Sequence, residues 1–247
     1  MNAEIEKRYG DFGQMFEVML RQAPEEQWDM VYPVDDEWPS ADQMASYQAI
    51  AVTGSPLDAF DSVPWIVRLR KELAAASERG QRLLGICFGC QALAIALGGN
   101  AERANIHYEI GTRHILFSES ACSELQASWA AACPKVGQLV IHESHQDCVT
   151  RLPEGAVLLA SSQDTRVEVW ALGDHVLCIQ GHPEFSTEFM EALVQWKAKA
   201  TPDSFPPALA DGALRELHAD PVTAKDAAAW RHLCKAFLRG PDLNGTA

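Results

Sequence analysis

RLLGICFGCQ, residues 82–91, sets two cysteines, Cys87 and Cys90, three positions apart behind a short apolar run. The run RLLGI reads as a buried strand, and the apolar stretch that follows reads as a helix over residues 88–97, ended by Gly98-Gly99. A strand that turns at once into a helix is half of a strand-crossover-strand unit, which points to parallel pairing. Three chemistries fit the sulfurs: a redox pair, half of a zinc site, or a single nucleophile. Zinc would need a second Cys or Cys/His pair, and Cys122, Cys133, Cys148, Cys178 and Cys234 offer none. The redox reading stays open. In the third reading, Gly85-Ile86-Cys87-Phe88-Gly89 is a nucleophile elbow, a strained strand-to-helix turn flanked by small residues where backbones approach closely. Cys87 would then stand at a helix N-terminus, where the local dipole favours a thiolate.

Outward from this stretch the pattern alternates. Residues 12–22 carry apolar side chains at helical spacing before Pro24, and residues 29–34 read as a strand. Residues 48–53 form another apolar run ending at Gly54-Ser55-Pro56, and Pro64 opens a helix to about residue 76. This order predicts an α/β fold with helices on the faces of a parallel sheet. After Gly99 the texture changes to short strand-like segments at 111–117, 137–142, 156–161, 167–172 and 176–180, the last two joined at Gly173-Asp174 as a hairpin. A helix with Ser186 as N-cap runs over 186–200, residues 202–207 form a linker, and an amphipathic helix covers 220–238 before Gly240-Pro241. The expected organisation is one domain over residues 1–200, with the linker and C-terminal helix of 201–247 packed on it.

Composition sets outer bounds. The 247 residues are long enough to bury a sizeable core, with 47% hydrophobic and 22% charged residues. The net charge of -14 repels phosphate backbones and anionic lipid, so neither nucleic acid nor membrane is an expected partner. The charged N-terminal stretch has no signal-peptide core, and the seven unframed cysteines read as reduced thiols, which together predict a protein of the cytosol.

A thiolate needs a base and something to orient that base. The apolar segment 176–180 stops at Gly181-His182-Pro183-Glu184, which leaves His182 at the carboxyl end of a strand, where catalytic groups of open α/β sheets gather. Glu184, two residues on in an extended segment, would face the same way as His182 and hold its second ring nitrogen. Cys87, His182 and Glu184 form the predicted triad.

GICFGCQ followed 95 residues later by GHPE resembles the class I glutamine amidotransferase family, whose pattern joins a G-x-C-x-G-x-Q elbow to a G-H-P-E segment. YGDFGQMF, EQWDMVYPVDDEWP, TGSPLDAFDSVPWIV, HQDCV and WRHLCKAFLRG extend the likeness to the stand-alone γ-glutamyl peptidases of plants. The resemblance implies a flavodoxin-like, doubly wound, mostly parallel sheet. It also implies an oxyanion hole at the Phe88 N–H and the Gly54-Ser55 turn, and a glutamyl-seating role for Gln91. The implied reaction is thiol attack on a γ-glutamyl amide and release of glutamate through a thioester, with no cofactor. Glutathione or its conjugates would be the substrates. The alternatives are a glutaminase feeding ammonia to a separate synthetase, which is not favoured, and a catalytically impaired binding homologue.

Three features depart from that pattern. Position 90 is cysteine where the family has histidine, and packing is expected for it, with a reversible Cys87–Cys90 disulfide as the alternative. The family's first apolar strand has no counterpart in MNAEIEK, so the first strand reads as missing, by truncation or rearrangement, with unpaired backbone and a gap in the core expected. His142, Glu143, His145 and Asp147 in HESHQD alternate in direction and are not expected to hold metal. The wall of the leaving-group pocket is expected within residues 43–64 and 101–113. Trp129, Trp170, Trp196 and Trp230 are expected in the core, and His107, His114, His175, His218 and His232 have no assigned role.

Overall fold

The structure, a computed structural model, describes residues 3–103, 108–125, 127–134 and 137–240. In chain order the helices are α1 (Ala3–Tyr9), α2 (Phe12–Leu20), α3 (Ala41–Ser46), α4 (Pro64–Glu78), α5 (Phe88–Ala96), α6 (Glu119–Glu124), α7 (Thr187–Ala200), α8 (Pro207–Ala219) and α9 (Ala224–Arg239). The strands are β1 (Ala49–Val52), β2 (Arg82–Ile86), β3 (Asn100–Arg103), β4 (Glu109–Phe117), β5 (Gln138–His145), β6 (Asp147–Arg151), β7 (Val157–Ser161), β8 (Val169–Leu172) and β9 (Val176–Ile179). Local chemistry starts α2, α4 and α7 where they were expected, and α9 four residues after the expected 220. Asp11 caps α2 in a box with Gln14, Pro64 opens α4, Ser186 caps α7, and Thr223 with Asp226 caps α9.

A seven-stranded sheet runs in the order β1-β2-β9-β8-β7-β4-β5, and β3 pairs with β6 beside it. The α/β class with helices on both faces stands. Parallel pairing joins β1, β2 and β9, while the other ladders of the sheet are antiparallel, because short turns such as that at Gly173 return the chain directly. Alternate side chains of β9 divide the core. Leu177 and Ile179 pack with Phe16, Met19 and Leu20 of α2 and Trp230, Leu233 and Phe237 of α9. Val176 and Cys178 pack on the other face with Ile66 and Leu73 of α4 and Leu93 of α5. A third cluster joins α1, α7 and α8 around Phe189, Phe205 and Leu217. Trp129, Trp170 and Trp230 are buried, and Trp196 packs at the edge of the third cluster, as expected.

Residues 29–32 are irregular, and a single 3-10 turn follows at Pro33–Asp35, where a strand was expected. A strand needs a ladder partner, and none lies beside this segment; Pro33 also lacks an N–H to donate. Instead, an apolar groove of about 510 Å³ separates the segment from the outer edge of β1, with Phe12, Phe16, Trp28, Trp38 and Leu69 among its walls. Among the described residues β1 is the first strand and pairs only with β2, and all four of its residues are partly exposed. The unpaired edge is therefore present, and the space beside it is an open apolar groove. The helices α1, α3, α6 and α8 and the strands β3 and β6 were not anticipated; Pro207 begins α8 instead of ending a linker. Pro241 lies outside the described residues.

Two glycines make the elbow possible. A Cβ on Gly85 would come within 2.7 Å of the Gly89 backbone, and one on Gly89 would fall on the Val52 carbonyl of β1. Gly89→Ala is expected to cost about 2–3 kcal/mol by overpacking against backbone. Gly212→Ala in α8, where the nearest atom would be Arg215 Nη2 at 4.0 Å, is expected to gain about 0.5–1 kcal/mol from helix propensity. Urea midpoints of the two variants should move in opposite directions, and movement in the same direction would contradict this account of the elbow.

Candidate active site

Where β2 ends, the backbone reverses through Cys87, which has φ 52° and ψ -106° and serves as the N-cap of α5. A non-glycine residue in such a conformation stores about 1–3 kcal/mol of strain and persists only where its surroundings impose it. Here the Cys87 N–H donates to the Ile179 carbonyl at 2.9 Å, fastening the elbow to β9. The parallel register, Ile86 opposite Ile179, brings the ends of β2 and β9 side by side. The elbow of the sequence reading is thus formed.

Beyond β9 the chain makes a turn at residues 182–185, not the extended segment expected, and the turn folds the Glu184 carboxylate back onto the histidine. His182 Nδ1 and Glu184 Oε1 lie 2.7 Å apart, and the carboxylate is fully buried. The imidazole stacks flat on Phe185, with ring centroids 4.0 Å apart and planes at 4°, and its backbone N–H donates to the His142 carbonyl at 2.8 Å. Burial disfavours charge on His182, but the Glu184 carboxylate and the neighbouring Cys87 sulfur outweigh it and raise its pKa from 6.5 to about 10. Cys87, His182 and Glu184 are therefore brought together.

Gly54 closes the other side: a Cβ there would lie 3.0 Å from His182 Cε1 and 3.9 Å from Cys87 Cβ. The Phe88 N–H, at the first position of α5, has no intrahelical acceptor and stands beside the sulfur-bearing residue. Ser55 turns its hydroxyl into its own loop, accepting from the Leu57 N–H at 3.2 Å. Gln91 is buried one turn along α5, and its amide donates to the Asp147 carbonyl at 2.8 Å and to Gln180 Oε1 at 3.2 Å. Its bonds to protein groups brace the β5–β6 turn.

Cys90 sits on the opposite face of the sheet from Cys87. Its sulfur accepts from the Trp170 indole N–H at 3.2 Å, inside the α4–α5 core cluster, whereas Cys87 belongs to the α2–α9 cluster. The C-x-x-C is not a facing pair, so the redox and Cys87–Cys90 disulfide readings give way to packing for Cys90.

In HESHQD the alternation holds. His142 bonds by its backbone to His182, and both its ring nitrogens are buried without partners; burial, then the proximity of His182, lowers its pKa to about 4. Glu143 and His145 face the other way into a layer with Glu109 and Glu168, the His145 ring lying 3.2 Å from Glu143 and 3.5 Å from Glu109. Burial and neighbouring carboxyls push Glu143 and Glu168 well above the usual carboxylate range. Among the described residues no group of three or more His, Cys, Asp or Glu is arranged to hold a metal. The sequence reading missed this acid layer and a second cluster, Asp58–Arg103–Asp147; alternation marked Glu143 and His145 as facing one way, but their partners are distant in the chain. His114, His175 and His218, given no role, pair with Asp220, Ser77 and Glu191. His107, and with it part of the expected 101–113 wall, lies outside the described residues. The groove beside β1 takes in residues 49–57 of the other expected wall. No described helix is long and apolar enough to cross a membrane.

Comparison with known proteins agrees with this geometry. Residues 11–197 match the family described as Glutamine amidotransferase class-I. Gamma-glutamyl peptidase 3 of Arabidopsis thaliana is 34% identical over 238 residues, covering 96% of this chain and 92% of the relative. Gamma-glutamyl peptidase 5 of the same plant is also 34% identical, covering 96% and 90%. Among solved structures, a glutamine amidotransferase from Thermotoga maritima superposes with a TM-score of 0.72 at 18% identity, covering 97% of this chain and 96% of the other, which is a likeness of fold.

The His182 pKa carries a sign. A value raised in the folded state contributes stability in full below the unfolded value of 6.5, and that contribution is lost as pH rises through about 10. The urea midpoint of the native chain should therefore fall between pH 7 and 10 more steeply than that of Glu184→Gln, which lacks the carboxylate holding the proton. Parallel curves would refute the buried ion pair.

Proposed function

The chain belongs to the class I glutamine amidotransferase family and is an enzyme, a hydrolase, and from that premise we propose that it cleaves the γ-glutamyl amide bond of glutathione, its conjugates or related peptides through a Cys87 thioester. The observation that carries this reading is the buried 2.7 Å contact of His182 with Glu184, set beside a cysteine held in a strained elbow.

In this reading Cys87 Sγ attacks the γ-carbonyl carbon while the proton resides on His182, whose Nδ1–H is held by Glu184. Negative charge on the former carbonyl oxygen is met by the Phe88 N–H at the positive end of α5 and by the Gly54-Ser55 backbone. The tetrahedral species collapses as His182 passes its proton to the leaving amine, giving a free amine and a γ-glutamyl thioester. Water then enters, His182 takes its proton, and glutamate leaves as the thiolate is restored. Glu184 sets the orientation of the ring throughout. The Arabidopsis relatives support peptide substrates by their names, and the long match to them favours these over glutamine.

The test compares glutamate release from glutathione, a glutathione S-conjugate and glutamine by the native chain and by Cys87→Ala. Release from the peptides that falls at least about a thousandfold in the variant is expected, as for loss of a catalytic nucleophile. Release from glutamine alone would mark an ammonia-supplying subunit, and no release from folded protein would mark a binding homologue.

A further inference from the structure

Arg103, at the end of β3, uses every nitrogen of its guanidinium. Nη2 grips Asp58 at both oxygens, 2.8 and 2.7 Å away, Nη1 donates to Gln146 Oε1 at 2.5 Å, and Nε lies 2.7 Å from Asp147 Oδ1. Two separate segments meet on this one cation. Asp58 closes the loop that begins at Gly54 beside Cys87 and His182. Gln146 and Asp147 form the turn between β5 and β6, and the Asp147 carbonyl accepts from Gln91 at 2.8 Å and faces His145 Nδ1 at 3.0 Å. Gln91 follows Cys87 by four residues, one helical turn or about 6 Å. Both segments therefore abut the Cys87–His182 site, the loop directly at Gly54 and the turn through Gln91 of α5.

We propose that Arg103 is a positioning residue: it ties the Gly54–Asp58 loop to the Gln146–Asp147 turn and so fixes the separation of the walls between which the γ-glutamyl group is held. The proposal deepens the functional reading above and rests on it for its catalytic consequence. Without the cation, the Asp58 and Asp147 carboxylates repel. Burial first and Asp58 next raise the Asp147 pKa to about 6, and Arg103 opposes them. The planar fork suits this task, because bidentate contact fixes direction as well as distance, which an ammonium cannot do. Arg103 and Asp58 are 49% and 32% exposed, so the network adds little to global stability, whatever it does for local geometry.

The test uses Arg103→Ala, Arg103→Lys, Asp58→Asn and the double variant Asp58→Asn/Arg103→Ala, with glutamate release, the rate of Cys87 alkylation by iodoacetamide, and hydrogen exchange as readouts. Arg103→Ala should lower kcat/KM by about tenfold to a hundredfold, in kcat as well as KM, since a misplacement near 1 Å has that effect. Alkylation should stay within about twofold, because the Cys87–His182–Glu184 unit is untouched. Arg103→Lys should recover part of the loss, and the double variant should be no worse than Arg103→Ala. Amides of residues 54–60 should exchange faster in Arg103→Ala. The proposal is overturned by activity within twofold of native, by losses that add in the double variant, or by alkylation falling in step with activity. It is equally overturned by unchanged exchange at 54–60, a readout that stands even if the native chain releases no glutamate, the result that defeats the functional reading alone.

Discussion

The hydrogen bond from the Cys87 N–H to the Ile179 carbonyl is the constraint on which the site depends. It is the last rung of the parallel β2–β9 ladder, and it fixes a backbone conformation that Cys87 would not adopt alone. Because β9 runs on into His182 and Glu184, the same rung sets the spacing between sulfur and imidazole. Cys87 and His182 lie 95 positions apart in the chain, yet their relative placement is as rigid as a sheet register. The strain is supported from both sides: Gly85 and Gly89 admit the close approach of α5 to β2 and β1, and Ile86 and Ile179 are buried on the α2–α9 face.

Charge is arranged around this frame in layers. His182 keeps a proton despite burial because Glu184 and Cys87 face it. Its immediate neighbours lean the other way. His142, bonded to it through the backbone, is held neutral by burial, and burial raises the carboxyls of Glu143 and Glu168, helped by Glu109 for the first and by Glu143 for the second.

How much of this was legible follows from what each signal encodes. The elbow was readable because a strand, two small residues and a helix sit within ten positions, and GHPE was readable because Pro183 stops a strand at a histidine. The helix starts at Pro64 and Ser186 were readable because their signals act within three residues, whereas the Thr223 cap went unread and α9 begins four residues after the expected 220. Residues 29–34 misled because apolar character speaks for burial, while strand formation needs a neighbour at ladder distance. β3 and β6 went unseen because each is short and owes its pairing to the other, some fifty residues away, rather than to local pattern. Cys90 was ambiguous for the same reason: only the face of α5 on which Trp170 packs separates it from a redox partner.

The exposed position of β1 gives the side-chain tethers of the Gly54–Asp58 loop their importance. In an inner strand, ladders on both sides would fix the loop that follows; β1 is laddered on one side only, and the groove takes the place of the second partner. The loop must therefore be held by other means, and it is. Gly89 presses on Val52 at its start, Arg70 donates to the carbonyls of Ala59 and Asp61 at 2.9 and 3.1 Å at its far end, and Arg103 grips Asp58 between them. Two arginines thus stand in for missing backbone bonds, one reaching from α4 and one from β3. Side-chain tethers yield more readily than a ladder, so on this chain the Gly54–Asp58 side of the site is the more deformable wall, and the Cys87–His182–Glu184 side, held by the β2–β9 register, the fixed one.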